Sequence, residues 1–179
     1  GGIKPTALQY HLIGVTGFDP ADSVASSNSA NRASLLGDVI DRKVTDDVNT
    51  VLEIQALANS VAKVMNMANG VDGLTLGALT QLGITGVTAD NLAAVKQAID
   101  RTLDDGSGVN TFSKLQNVVT EKVNHFNTSL GVIQQFAKTH ADPSLLGTDQ
   151  PTVQNYLDLG ISSVTPINLE AINSALATS

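Results

Sequence analysis

Cysteine is absent from the 179 residues, so disulfide frameworks, thiolate ligands for zinc and cysteine nucleophiles have no place in this chain. Tryptophan is absent too, and aromatics make up 3% of the residues, which leaves little from which to build stacking platforms for sugars or single-stranded nucleic acid. Positive charge is scarce: 10 Lys and Arg stand against 17 Asp and Glu, a net charge of −7. A protein that binds a duplex by neutralising phosphates needs the opposite balance, so nucleic acid is not an expected partner. No apolar run reaches the ~20 residues of a spanning helix, so membrane insertion is not expected, and no signal-peptide pattern opens the chain.

What the chain has is repetition. The stretch from Thr75 to Ile99 returns, at one constant offset and without a gap, as Thr152 to Leu176. Leu82, Gly83, Ile84, Val87, Thr88, Asn91, Leu92 and Val95 fall on Leu159, Gly160, Ile161, Val164, Thr165, Asn168, Leu169 and Ile172. A third copy starts the chain, where Pro5, Thr6 and Tyr10 echo Pro151, Thr152 and Tyr156 and Gly14 stands at the helix end, and its second half is stretched by a Ser/Asn/Ala-rich insert, Asp22 to Ala33. A further pattern follows the first two copies: Ile40, Asp41, Arg42, Val48, Asn49, Thr50, Ile54 and Gln55 match Ile99, Asp100, Arg101, Val109, Asn110, Thr111, Leu115 and Gln116. The reading is one domain over 1–179, made of units at about 5–70, 74–126 and 151–179, the last a half unit, with an inserted helical segment at about 127–150. Gly1-Gly2 reads as a cloning remnant, and the abrupt end as that of an excised or processed piece.

Each unit has a physical grammar. Thr6, Thr75 and Thr152 stand where a hydroxyl can cap a helix N-terminus, and Gly14, Gly83 and Gly160 stand where a left-handed C-cap ends it. An extended link follows, whose apolar residues (Ile84 and Val87, Ile161 and Val164) are expected to tuck under the helices. Thr88 and Thr165 then open a second helix, with Pro166 in its first turn. A third, longer helix starts near Thr50 or Thr111, with apolar stripes Val51, Ile54, Leu57, Val61, Met65 and Leu115, Val118, Val119, Val123, Phe126. Strand signals are weak. The expected fold is all-α, a stacked bundle of short-short-long helical units.

The run Leu82 to Val95, followed by Asp104-Asp105-Gly106-Ser107-Gly108-Val109-Asn110-Thr111 and Leu115-Gln116, resembles a repeat of very large bacterial secreted and cell-surface proteins of the adhesin type. The resemblance is best over 74–118 and partial over 5–61 and 151–176. It implies export and display among other extracellular modules, and it brings no catalytic or binding residue with it.

Candidate chemistry is thin. Asp100, Asp104, Asp105 and Asn110 form the best cation candidate, because oxygen ligands on a Gly-rich turn suit Ca²⁺, although the EF-hand spacing fails and a solvated acidic turn is the ordinary reading. No other cofactor is expected. His11, His125 and His140 have no partner that sequence can place beside them. Ser26 to Ser29 reads as a loop without a nucleophile elbow. Met65 and Met67 read as core filling rather than a sticky surface. Paired carboxylates such as Asp41 and Asp100 could serve glycoside hydrolysis, but pairing with neighbouring Arg42 and Arg101 is the more ordinary use.

The function expected from these features is a non-catalytic structural or adhesive module, extracellular or at the bacterial surface, acting in extension, assembly or attachment. Its partners would be other modules of a larger chain or a surface partner, and the isolated chain would be monomeric. The alternative is a recognition domain for protein or glycan, with Tyr10, Phe18 and Tyr156 as the residues to face a sugar. A carboxylate-dependent hydrolase is the remote third.

Overall fold

The computed structural model describes residues 4–18, 26–140 and 150–178, which form eight α-helices and no strand. In chain order they are α1 (Ala7–Leu12), α2 (Ser26–Ile40), α3 (Val51–Ala68), α4 (Leu76–Gln81), α5 (Leu92–Asp100), α6 (Phe112–His140), α7 (Val153–Asp158) and α8 (Leu169–Ala177). Among the described residues no helix is long and apolar enough to cross a membrane.

Threonine starts the short helices and glycine stops them. Thr6, Thr75 and Thr152 accept from the amides of Gln9, Ala78 and Asn155 at 3.3, 3.2 and 3.3 Å. At the far ends Gly14, Gly83 and Gly160 adopt φ of 90, 82 and 83°, a region costly for residues with a Cβ. That turn lets the next amide reach back: Val15, Ile84 and Ile161 donate to the carbonyls of Tyr10, Leu79 and Tyr156 at 3.0, 3.0 and 2.9 Å. These bonds satisfy carbonyls that a helix C-terminus leaves without partners.

The links are then clasped by the long helices. Gln55, the fifth residue of α3, accepts from the Thr16 amide at 2.7 Å. Gln116, the fifth residue of α6, accepts from the Thr85 amide at 3.0 Å and donates to the Thr85 carbonyl at 3.2 Å. Packing follows the same order. α2 lies on α3 and α5 on α6; α3 carries α4 and α5, and α6 carries α7 and α8. α2 also touches α6, where Asp38 accepts from the Phe112 amide at 3.1 Å and so caps α6 from outside. The core between them includes Leu35, Leu36, Val39, Val61, Met65, Leu79, Val95, Ile99, Leu115 and Val119.

Several expectations need correction. Residues 127–140 are not an insert after the third helix but its continuation, because α6 runs unbroken for 29 residues. Residues 141–149, the rest of that segment, lie outside the described residues, as do 22–25 of the Ser/Asn/Ala-rich insert and Gly1-Gly2. Ser26 to Ser29 form the first turn of α2 rather than a loop. α5 and α8 open at Leu92 and Leu169, later than Thr88 and Thr165, because an asparagine braces the intervening turn. Asn91 accepts from the Thr88 amide at 2.9 Å and donates to the Gly86 carbonyl at 3.0 Å. Asn168 makes the same bonds with Thr165 and Ser163 at 2.7 and 2.9 Å. Val51 is exposed, so the α3 stripe begins a turn later, and Ile161 does not tuck under: it is 42% exposed.

Candidate functional site at the α6–α7 joint

Lys122 and Ser129 interrupt the apolar stripe of α6 two turns apart, which turns both toward the helix that α6 supports. Both are buried, and what they meet is Asp158, the last residue of α7, also buried. Lys122 Nζ lies 3.0 Å from one Asp158 oxygen and 3.4 Å from the Leu157 carbonyl. Ser129 Oγ donates to the other Asp158 oxygen at 3.0 Å, and Gln154 Nε2 donates to the first at 2.9 Å. Asn155 Nδ2 donates to Ser129 Oγ at 3.2 Å, which ties the Thr152 capping turn to the same cluster. A carboxylate at a helix C-terminus opposes the helix dipole and, once buried, needs compensation. Burial raises the Asp158 pKa, but the hydrogen bonds from Lys122, Gln154 and Ser129 and the Lys122 charge outweigh it, and the net shift is downward.

His125 completes a serine, a histidine and an aspartate within one cluster, but not the order that catalysis needs. In an acyl-transfer triad the imidazole stands between hydroxyl and carboxylate and takes the serine proton. Here the Ser129 hydroxyl donates straight to Asp158, is 2% exposed, and has no imidazole hydrogen-bonded to it among the described residues. The imidazole lies outside, with Nδ1 at 3.9 Å from Asp158 and a side chain 68% exposed. Grooves of about 320 and 310 Å³ flank the cluster, one beside Glu121 and Gln154 and the other beside Asn124 and Thr128. The arrangement joins α7 to α6. The preceding joint uses the matched position: Gln81, the last residue of α4, accepts from the buried Ser60 hydroxyl of α3 at 2.6 Å.

The residues singled out in the sequence lie elsewhere. Tyr10, Phe18 and Tyr156 are 2, 1 and 5% exposed, so none offers a ring face to a glycan. Tyr10 stacks in a tilted pair with Phe18, centroids 5.3 Å apart, and its buried hydroxyl has no hydrogen-bond partner among the described residues. The Tyr156 hydroxyl is 2.7 Å from Asn173 Oδ1, and Asn173 in turn donates to the Pro151 carbonyl at 2.9 Å, so this ring pins α8 to α7.

In the acidic turn the oxygens of Asp105, Ser107 and Asn110 are already engaged. Asp105 accepts from the Ser107 amide at 2.8 Å, and hydrogen bonding by Ser107 holds its carboxyl below the usual aspartate range. The Lys114 ammonium donates to the Ser107 carbonyl at 2.9 Å and to Asn110 Oδ1 at 3.0 Å, which places a protein cation among the atoms proposed for Ca²⁺. Asn31 of α2 holds the same turn through the Asp105 carbonyl at 2.7 Å and through Asn110 at 2.8 Å. Among the described residues no three His, Asp or Glu side chains gather as metal ligands, so Asp100, Asp104 and Asp105 are not brought into such a group.

Arg42 does not pair with Asp41; its guanidinium lies 4.0 Å from the Phe112 ring centroid. His11 is exposed at the end of α1, and the His140 side chain lies outside what is described. Met65 and Met67 are buried, as core filling requires.

Sequence reasoning missed Lys122, Ser129 and Asp158. The available signal was a lysine and a serine placed within an apolar stripe, but their partner lies about thirty residues away, in another helix. No family model matches the chain, nor does any curated protein or solved structure.

Proposed function

We propose that this chain is a non-catalytic structural module of a bacterial surface or secreted protein, which gives length and a docking frame to a larger assembly. The observation that carries this reading is the clasp made twice, Gln55 on Thr16 and Gln116 on Thr85, by which a long helix seals the link of the helical pair before it. A polar contact used this way specifies how units join, as expected of repeat architectures whose units contact chiefly their neighbours. The Asp158 cluster supports the same reading, since its buried charges are consumed in joining α7 to α6. Surface display comes from the resemblance of residues 74–118 to adhesin-type repeats.

The test is antibody labelling of intact source cells, with permeabilised cells as reference, together with attachment assays on cells whose parent gene lacks this segment. Labelling of intact cells and reduced attachment are expected. Labelling confined to permeabilised cells would overturn the surface assignment.

A further inference from the structure

The third link stands open where the first two are covered. Val15 and Ile84, which begin the first two links, are buried, while Ile161 at the matched place is exposed. On the second helix of each unit the contrast repeats: Leu35 and Leu36 of α2 and Ala94 and Val95 of α5 are fully buried, whereas Ala171 of α8 is exposed and Ile172 half-buried. Ile167 beside them is 96% exposed. Ser162 occupies the position of Thr16 and Thr85, yet its amide has no hydrogen-bond partner among the described residues. What covers the first two sites is known: a helix whose fifth residue is glutamine.

We propose that the face formed by Ile161, Ser162, Ala171 and Ile172 is the docking site for an amphipathic helix of the α6 kind, supplied by an adjoining module. That helix carries threonine at its N-cap, an apolar stripe, and a glutamine as its fifth residue whose amide clasps the Ser162 backbone. Charge selects an α6-like rather than an α3-like partner. Glu170 stands exposed on α8 next to Ala171, and from Thr139 onward the sequence has no Lys or Arg to offset it, which disfavours a helix with Glu53 near its glutamine and favours one with a lysine there, as α6 has Lys114. A second intact copy is a poor occupant, because its own α3 and α6 are already seated. The inference deepens the module reading but stands on the geometry of the three links. Cell labelling reads location and the experiment below reads docking, so either can fail alone.

The offset that places Ile99 on Leu176 places Thr102 on Ser179, so a copy of residues 103–126 appended to the full chain continues in register. Amide exchange at Ser162 and Ile172, followed by NMR, is expected to slow by about tenfold or more, and the melting midpoint to rise. The Gln116→Ala change made only in the appended copy should return Ser162 to fast exchange while Ile172 keeps part of its protection. The same segment added as a free peptide should slow the same amides in proportion to its concentration. Unchanged exchange at Ser162 despite helix formation by the appended segment would overturn the proposal. So would equal protection by a scrambled segment, or concentration-dependent protection of Ser162 in the unextended chain, which would assign the face to a second copy.

Discussion

At the scale of single residues, some buried polar groups join helices, while others, the Tyr10 hydroxyl among them, find no hydrogen-bond partner among the described residues. Lys122 and Asp158 are a buried pair, so Lys122→Ala leaves the Asp158 carboxylate its hydrogen bonds from Ser129 and Gln154 but takes away the paired ammonium, and should cost about 3 kcal/mol in chemical denaturation. The folded-state pKa of Asp158 is depressed, so its contribution is present above the unfolded value near 3.8 and is lost as pH falls through the folded value. Wild-type stability should therefore drop on acidification below about pH 4, and Lys122→Ala should flatten that limb. A limb of unchanged slope would assign acid sensitivity elsewhere.

The tyrosines give the opposite contrast. Burial, with the Asp41 charge, pushes the Tyr10 hydroxyl up to about 12, so stability is present below pH 10 and is lost as pH rises toward 12. Because that hydroxyl has no partner among the described residues, Tyr10→Phe should be neutral to within about 0.5 kcal/mol or stabilising, with a flatter alkaline limb. Tyr156→Phe, which takes the donor from the buried Asn173 Oδ1, should cost about 2 kcal/mol.

At the scale of elements, what was legible in the sequence was what the backbone decides locally. Thr6, Thr75 and Thr152 cap helices through bonds three residues away, and Gly14, Gly83 and Gly160 end them through a torsion, so both could be read without tertiary knowledge. The clasping glutamines were visible as a recurrent Ile-Gln or Leu-Gln pair, though their purpose was not. The continuity of α6 past Phe126 was hidden because the repeat pattern stops there while helix propensity does not. Tyr10 and Tyr156 could not be assigned to the core by composition, since a ring on a six-residue helix is buried only by what packs over it. One local feature also carries a tertiary constraint. A Cβ on Gly160 would lie 3.0 Å from the Ala94 amide nitrogen and 3.3 Å from the Ala93 carbonyl carbon, whereas one on Gly14 would meet nothing within 4 Å. Both substitutions incur the strain of positive φ, about 1 kcal/mol, so Gly14→Ala should lose about that much and Gly160→Ala at least twice as much. Equal losses in the two variants would show that α7 does not press on α5 at this point.

At the scale of the whole molecule, α6 is the spine: α2 and α5 lie on it from one side of the chain order and α7 and α8 from the other. Among the described residues the terminal pair packs mainly on α6, with a short contact to α5, where Gln97 donates to the Gly160 carbonyl at 3.1 Å. Its second helix is correspondingly less covered: Ile172 and Leu176 are half-buried where the matched Val95 and Ile99 of α5 are fully buried, and the buried position is taken by Asn173. When units contact mainly their neighbours, the pair with one neighbour opens first and need not take the rest of the stack with it. Amide exchange should therefore be faster in 169–177 than in 112–126, and partial opening of α7 and α8 should precede global unfolding. Lys122→Ala acts on that one joint, so it should widen the gap, speeding exchange in 153–177 far more than in 51–68. If exchange instead accelerated equally in α3 and α8, the joint would be coupled to the entire core, and the molecule would unfold as one cooperative body rather than from its terminal pair.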